Sequence, residues 1–304
     1  MLIGVDFGGT QVKAGIVENG EVVRSTATPT RAGSNADEVL DTIASTVLAL
    51  SSKPDAVGVA IPGEVNSEGR CWRLPNVPGF EGVHIAEELA KRLRCPIAVE
   101  NDATTAALGE RLYGHGREHP SFLMMTLGTG VGGGLVLGGR VVDGHSGNAG
   151  HIGHVVVDPN GPPCGCGGQG CVEAIARGPA VALWAHENGW RADSTVVGTA
   201  QEVADDAARG HPVARAALAR AGHALGVAIA STTHLLDLEV VCVGGGLSQA
   251  GPLLFDPLED AFRRHARMEY AREVRVVPVA LGQEAGLVGA AALVIAGDRY
   301  WNGD

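Results

Sequence analysis

The chain has 304 residues, enough for two domains with substantial cores, and a formal charge of −11. That charge argues against a nucleic-acid partner, which needs a clustered basic face, and no apolar run reads as a membrane span. Forty-five glycines, about twice the usual share, come in pairs and triplets without a collagen period, which points to tight turns and close backbone approaches to a ligand. Met1 leads straight into the strand-like LIGVD, so no targeting segment is expected, and the scattered Cys71, Cys95 and Cys242 need no partners. The expected setting is the reducing cytoplasm, with no membrane contact.

In chain order, Leu2–Asp6 reads as a buried strand and DFGGT at 6–10 turns it back. Gln11–Val17 and Glu21–Thr26 flank Asn19-Gly20, a dipeptide favoured in two-residue hairpins. Asn35 with Glu38 predicts a capped helix start, followed by Val39, Ile43, Val47 and Leu50 on one face. Ala56–Ile61 is a strand closed by Pro62-Gly63, Ile85–Leu93 a helix, and Pro96–Glu100 a strand ending in Asn101-Asp102. Ala103–Leu112 is helical, which places Asp102 at a strand-to-helix junction. The second half repeats this plan. Ser121–Leu127 is a strand, GTGVGGG at 128–134 its turn, and Gly133–Leu137 pairs with Arg140–Val142. Pro212 to Asp237 predicts a long buried helix in which Gly222 and Gly226 are poor helix formers, Val240–Val243 a strand, and Ala285–Ala296 an apolar helix. Two similar strand–glycine-turn–strand openings suggest a duplicated α/β domain with a cleft between the copies.

Three glycine runs end strands in this plan. In DFGGT the glycines let backbone N–H groups approach phosphate oxygens, and Asp6 can hold a hydrated magnesium ion. In GTGVGGG, Thr129 is placed to bond phosphate, but the Gly-Lys-Ser/Thr ending of a P-loop is missing. The third run, Gly244-Gly245-Gly246, can admit a nucleoside against bare backbone. Together they point to a nucleotide site. Asp102 is the candidate general base for phosphoryl transfer, which needs a positioned hydroxyl and a carboxylate to take its proton. Asp102 can equally N-cap the following helix, though capping leaves Asn101 unexplained. Asn76 and Glu173, polar residues among glycines, suit hydrogen bonds to sugar hydroxyls.

The densest chemistry lies in NAGHIGHVVVDPNGPPCGCGGQGCVE, residues 148–173. His154, Cys164, Cys166 and Cys171 supply one imidazole and three thiols, the donor set of a closed tetrahedral zinc site with no position left for substrate.

These motifs resemble those of the ROK-type bacterial sugar kinases, within the actin/hexokinase-like ATPase superfamily. The likeness runs through DFGGT (6–10), AIPGEV (60–65), PNVPGF (75–80), ENDATTAA (100–107), LGTGVGGG (127–134), the cysteine knot, VGGG (243–246) and EAGLVGAA (284–291). It implies two actin-like (ribonuclease H-like) α/β domains flanking a nucleotide and sugar cleft, residues 1–104 with 288–304 against 105–287, the latter carrying the zinc loop. It implies ATP with Mg²⁺ as donor, a structural Zn²⁺, a homodimer, and phosphorylation of the 6-hydroxyl of a hexose. The implied donor site comprises Asp6, Gly8, Gly9, Thr10, Lys13, Gly128, Thr129, Gly130, Gly132, Gly133, Gly245 and Gly246. The implied sugar site comprises Gly63, Asn76, Asn101, Asp102 as base, His151, His154 and Glu173, with His154 also on zinc.

The chain departs from that family pattern most at His151, which stands where most members have glutamate. A neutral imidazole accepts one hydrogen bond, donates one and brings no negative charge, so it can meet an acetamido carbonyl or still hold a hydroxyl. The loops around Asn76 and Asn101 look more like the glucokinases of the family, so glucose is the first reading, and His151 makes N-acetylmannosamine the alternative. Gln11 and Asn66 are smaller departures. A sugar-responsive repressor of the same family is a distant alternative, since a basic DNA-reading domain is not expected ahead of Asp6.

Overall fold

The computed structural model describes the chain apart from residues 9–10, 31–33, 67–69, 75–76, 78, 192–195 and 301–304, and apart from the side chains at 72–73 and 298–299. Gly9, Thr10 and Asn76 of the expected site thus lie outside the described residues. Contacts gather the chain into two compact units, residues 1–120 with 134–150 and 279–304, and residues 121–133 with 151–278.

The chain opens with β1 (Leu2–Phe7), β2 (Gln11–Glu18) and β3 (Glu21–Pro29). Asn19 and Gly20 turn β2 into β3 with φ of 53° and 86°, the paired positive angles that match the twist of a tight hairpin. Helix α1 (Ala36–Leu50) begins in the predicted capping box. Asn35 Oδ1 accepts from Glu38 N at 3.0 Å, and Glu38 Oε2 accepts from Asn35 N at 3.1 Å. Then follow β4 (Ala56–Ile61), β5 (Glu64–Val65), β6 (Cys71–Arg73), α2 (Ile85–Leu93), β7 (Ile97–Asn101) and α3 (Asp102–Tyr113). The later elements are β8 (Phe122–Leu127), β9 (Val131–Leu137), β10 (Arg140–Val141), α4 (Val172–Ala176), α5 (Gly178–Glu187), α6 (Ala200–Ala208) and α7 (Pro212–Leu236). They end with β11 (Val240–Gly244), α8 (Pro252–His265), α9 (Glu269–Arg272), β12 (Arg275–Pro278) and α10 (Ala285–Ala296).

Two five-stranded sheets result, ordered β3-β2-β1-β4-β7 and β10-β9-β8-β11-β12. Each follows the same order, third, second, first, fourth, fifth, so the repeated plan expected from sequence is present in the topology. In the first sheet, β1 runs antiparallel to β2 and parallel to β4, and β4 runs parallel to β7. One face buries Ile3, Val5, Phe7, Val57, Val59 and Ile61 against Val39, Ile43 and Val47 of α1 and Ile85 and Leu89 of α2. Each such side chain contributes roughly 1.5–3 kcal/mol on leaving water.

The opposite face carries glycine where α10 crosses. A Cβ on Gly4 would lie 2.0 Å from the Leu287 carbonyl oxygen, and one on Gly58 would lie 1.7 Å from that of Ala290. Gly4 and Gly58 are register partners, so together they open one flat patch on which the helix backbone lies directly. Helix α3 then packs on α10, where a Cβ on Gly289 would meet the Thr105 carbonyl oxygen at 2.2 Å.

In the second unit α7 lies among α4, α6 and α8. Gly222 and Gly226, poor helix formers in sequence, are the positions where α8 closes in. A Cβ on Gly226 would sit 2.3 Å from the Leu258 carbonyl oxygen. By length and composition α7 would serve as a membrane span, which corrects the expectation that no run is apolar enough. It is a core helix, with 61% of its most apolar window buried within the protein.

The α10 contact predicts that Gly58→Ala lowers stability by about 2 kcal/mol or more, since backbone has to yield to the added methyl. The denaturation midpoint measures this, and a variant within ~0.5 kcal/mol of the parent would show that the contact yields freely.

Candidate active site and candidate metal centre

In the first unit the site begins at the carboxyl ends of β1, β4 and β7. The register places Lys13 opposite Asp6, Asp6 beside Ala60, and Ala60 beside Glu100, in one row across the sheet. Burial raises the Asp6 pKa, and the Lys13 ammonium partly offsets that rise. The first turn of α10 reaches this carboxylate, because a Cβ on Gly286 would lie 2.8 Å from Asp6 Oδ2. The positive end of the helix favours the ionised form. Gly8 N donates to Gln11 O at 2.9 Å, holding the described start of the first glycine turn.

Asp102 is the first residue of α3, and the cap is its neighbour. Asn101 Oδ1 accepts from Ala103 N at 2.9 Å and Thr104 N at 3.2 Å, and its Nδ2 donates to Gly63 O at 2.9 Å. Capping therefore explains Asn101 and not Asp102, a correction to the alternative drawn from sequence. Three of the hydrogen bonds available to the Asn101 amide are spent inside the protein, leaving one Nδ2 hydrogen. Asp102 Oδ1 accepts from Ala103 N at 2.8 Å, and the carboxylate is also supported by its own backbone N–H. Burial, then the negative charge of Asp6, push the Asp102 pKa up to about 7, against the pull of the Ala103 N–H. A carboxylate poised near neutrality can both take and release a proton at working pH.

Glu100 was not singled out from sequence. Its Oε1 accepts from Asn101 N at 2.6 Å, and burial, with the charge of Asp143 added, raises its pKa to about 8. The available signal was a glutamate closing the apolar strand Ile97–Asn101 immediately before the Asn-Asp pair.

In the second unit the loop after β8 is tied at both ends. Gly128 N donates to Gly130 O at 2.9 Å, and Gly128 O accepts from Gly178 N at 2.8 Å. Glu173 Oε2 accepts from Val131 N at 3.0 Å, and a Cβ on Gly130 would come within 2.7 Å of that oxygen. Gly132 and Gly133 continue into β9. Gly245 has φ 88°, and a Cβ there would lie 2.4 Å from the Leu127 carbonyl oxygen, so glycine is required. Gly128, Thr129 and Gly246 share the wall of one cavity of about 510 Å³, which also takes in Thr199 and Gln201 at the start of α6. Thr199 and Gln201 were missed from sequence because nothing links them to the glycine runs along the chain.

The knot assembles as expected. His154 closes a short 3-10 turn, Ile152–His154, and Cys171 precedes α4, which carries Glu173. The donor atoms of His154, Cys164, Cys166 and Cys171 all lie within 4.8 Å of one another. His154 Nδ1 is 3.7 Å from Cys164 Sγ, and the Cys166 and Cys171 sulfurs are 3.8 Å apart. Metal–sulfur bonds of ~2.3 Å give a tetrahedron edges of about 3.8 Å, so the cage fits a zinc-sized ion. Burial and the neighbouring thiols push Cys171 up to about 12, whereas the Gly168 N–H holds Cys166 below its usual value, so a cation would be needed to make the Cys171 thiolate favourable. The ring of His151 stacks beside His154 at 6.1 Å and 19°.

A sequence model described as the ROK family matches residues 2–296. This chain belongs to the ROK family. It is 36% identical over 306 residues to a glucokinase of Thermotoga maritima, covering 96% of each chain. It is 32% identical to an N-acetylmannosamine kinase of Haemophilus influenzae, covering 95% of this chain and 93% of that one. Among solved structures, a ROK family glucokinase from Streptomyces griseus in complex with glucose and AMPPNP superposes with TM-score 0.86 at 33% identity, over 96% of this chain and 98% of the other.

The raised acids carry a stability consequence. Glu100 keeps its proton in the fold up to about 8, while an unfolded glutamate loses it near 4.5. The folded state binds the extra proton in that window, so stability should fall as pH rises through it. Glu100→Gln, which mimics the protonated acid, should flatten the slope in denaturant titrations between those pH values. An unchanged slope would show that another group is responsible.

Proposed function

We propose that this ROK-family enzyme is an ATP-dependent kinase that phosphorylates the 6-hydroxyl of a hexose, with glucose as the first substrate. The observation that carries the reading is Asp102, a buried carboxylate with a pKa near 7 at the strand end where Asp6, Asn101 and Gly63 converge. Asp102 takes the hydroxyl proton, the sugar oxygen forms the new bond to the γ-phosphorus, and the bond to the β-phosphate oxygen breaks to release ADP. Gly8, Gly9, Thr10 and Lys13, with Gly128, Thr129, Gly130, Gly132 and Gly133, hold phosphate. Gly245 and Gly246 admit the nucleoside. Asp6 would hold Mg²⁺, which when bound neutralises charge on the phosphates. Gly63, Asn76, Asn101, His151, His154 and Glu173 form the sugar site.

The proposed functional division follows residues 1–104 with 288–304, which supply the base and the first glycine turn, against 105–287, which supply the second turn and the knot. The knot would hold one structural Zn²⁺, the working form would be a homodimer, and the setting would be cytoplasmic carbohydrate metabolism. A second reading, N-acetylmannosamine, is supported by His151. Its imidazole lies beside His154 and can donate to an acetamido oxygen.

A coupled assay with glucose, mannose, N-acetylmannosamine and N-acetylglucosamine tests the assignment. Glucose should give the highest kcat/KM, and preference for N-acetylmannosamine would install the second reading. Asp102→Asn should lose ~10²–10⁴ in kcat while still binding sugar. Parent activity should decline below about pH 7 as Asp102 takes a proton. Near-parent turnover in Asp102→Asn would remove Asp102 from the role of base. Metal analysis should return about one zinc per chain, reduced by Cys166→Ser with loss of thermal stability. Zinc-free protein of unchanged melting temperature would reject the structural metal.

A further inference from the structure

The cavity of the second unit has an uneven chemistry. Pro179, Val197, Ala204, Leu247 and Ala250 present hydrocarbon to it, and among the described residues only Thr129, Thr199 and Gln201 bring polar side chains. Thr129 lies in the turn assigned to phosphate. The Thr199 hydroxyl is consumed by the α6 capping box, donating to Glu202 Oε2 at 3.0 Å and accepting from Glu202 N at 3.2 Å. Gln201 remains. Its Nε2 donates to Asp205 Oδ1 at 2.9 Å, one helical turn on. A carboxylate only accepts, so Asp205 takes one Nε2 hydrogen and turns the nitrogen towards itself, which leaves Oε1, the amide's one acceptor, directed away from Asp205 with one Nε2 hydrogen over. An acceptor oxygen complements the 6-amino group of adenine and opposes the 6-oxo group of guanine.

Resting on the kinase reading, we propose that the donor's base is held mainly by its faces against this apolar slot, and that Gln201, oriented by Asp205, is the residue that favours adenine over guanine. Val197 is 41% exposed at the slot, an apolar surface that a purine ring would cover. Gln201 itself is solvent-exposed. Water therefore replaces a lost contact there, and the preference for adenine is about tenfold, far below the roughly 10⁴–10⁵ of sites that bury their hydrogen-bonding groups.

The test compares kcat/KM for ATP and GTP, with ADP and GDP affinities by calorimetry as a second readout. The parent should prefer ATP by about tenfold. Gln201→Ala should bring the ratio near unity by weakening ATP. Asp205→Asn, which lets the amide turn, should narrow the ratio by improving GTP. A parent ratio above ~10³, or one that survives Gln201→Ala, overturns the proposal. Failure of every nucleoside triphosphate to support turnover would count against the kinase reading instead, and the ADP to GDP affinity ratio would still decide the part played by Gln201.

Discussion

The carbonyl oxygens of Leu287 and Ala290 occupy the space where side chains on Gly4 and Gly58 would stand. That backbone-to-backbone contact lets α10 lie flat on the centre of the first sheet, and much else follows from it. The helix begins at Asp6, so its positive end meets the carboxylate at the head of β1. It then receives α3 through Gly289, and α3 is the element that carries Asp102 on its first turn. Two carboxylates, one on β1 and one at the start of α3, are thereby set by one helix that meets its neighbours at glycines. Any residue larger than glycine at these positions would move the acids as well as the core.

The same arrangement sets the electrostatics. Asp6 and Asp102 share one enclosed end of the sheet, where the charge of Asp6 makes that of Asp102 harder to bear, as the charge of Asp143 does for Glu100. Lys13 and the α10 terminus favour charge on Asp6, whereas Asp102 is supported by backbone N–H groups, those of Ala103 and of Asp102 itself. The two acids are therefore pushed apart in role. One is suited to remain anionic beside a cation, and the other to exchange a proton near neutrality. Asn101 serves this division from the side, because capping α3 and holding Gly63 fixes the peptide from which Asp102 projects.

The knot works on a shorter scale. Its tight glycine turns, including Gly170 with φ 68° directly before Cys171, bring three sulfurs and His154 within 4.8 Å of one another. Glu173 follows two residues later and reaches the backbone of Val131. The four-residue His/Cys cluster and a contact to the second glycine loop thus share one short segment of chain, so the geometry of the cluster bears on both the loop and His151.

Much of this was readable along the chain. The Asn19-Gly20 hairpin, the Asn35–Glu38 capping box, the strand at 56–61, the helices at 85–93 and 285–296 and the four-ligand cage each depend on neighbours within a few residues. Turn angles, caps and ligand spacing are local properties that composition and spacing encode directly. The tertiary structure decided what depends on distant chain. Gly222 and Gly226 read as weak points of α7 until α8 closes against them. The apolar run of α7 satisfies the composition of a membrane span until its neighbours bury it. Glu100 reads as a strand end until burial denies it water and Asp143 brings a second negative charge. Gln201 is one helix-surface amide among others until the cavity beside Gly128 forms. Burial and close approach are sums over residues remote in sequence, which is why the residue types were visible in the sequence and their protonation and placement were settled only by the fold.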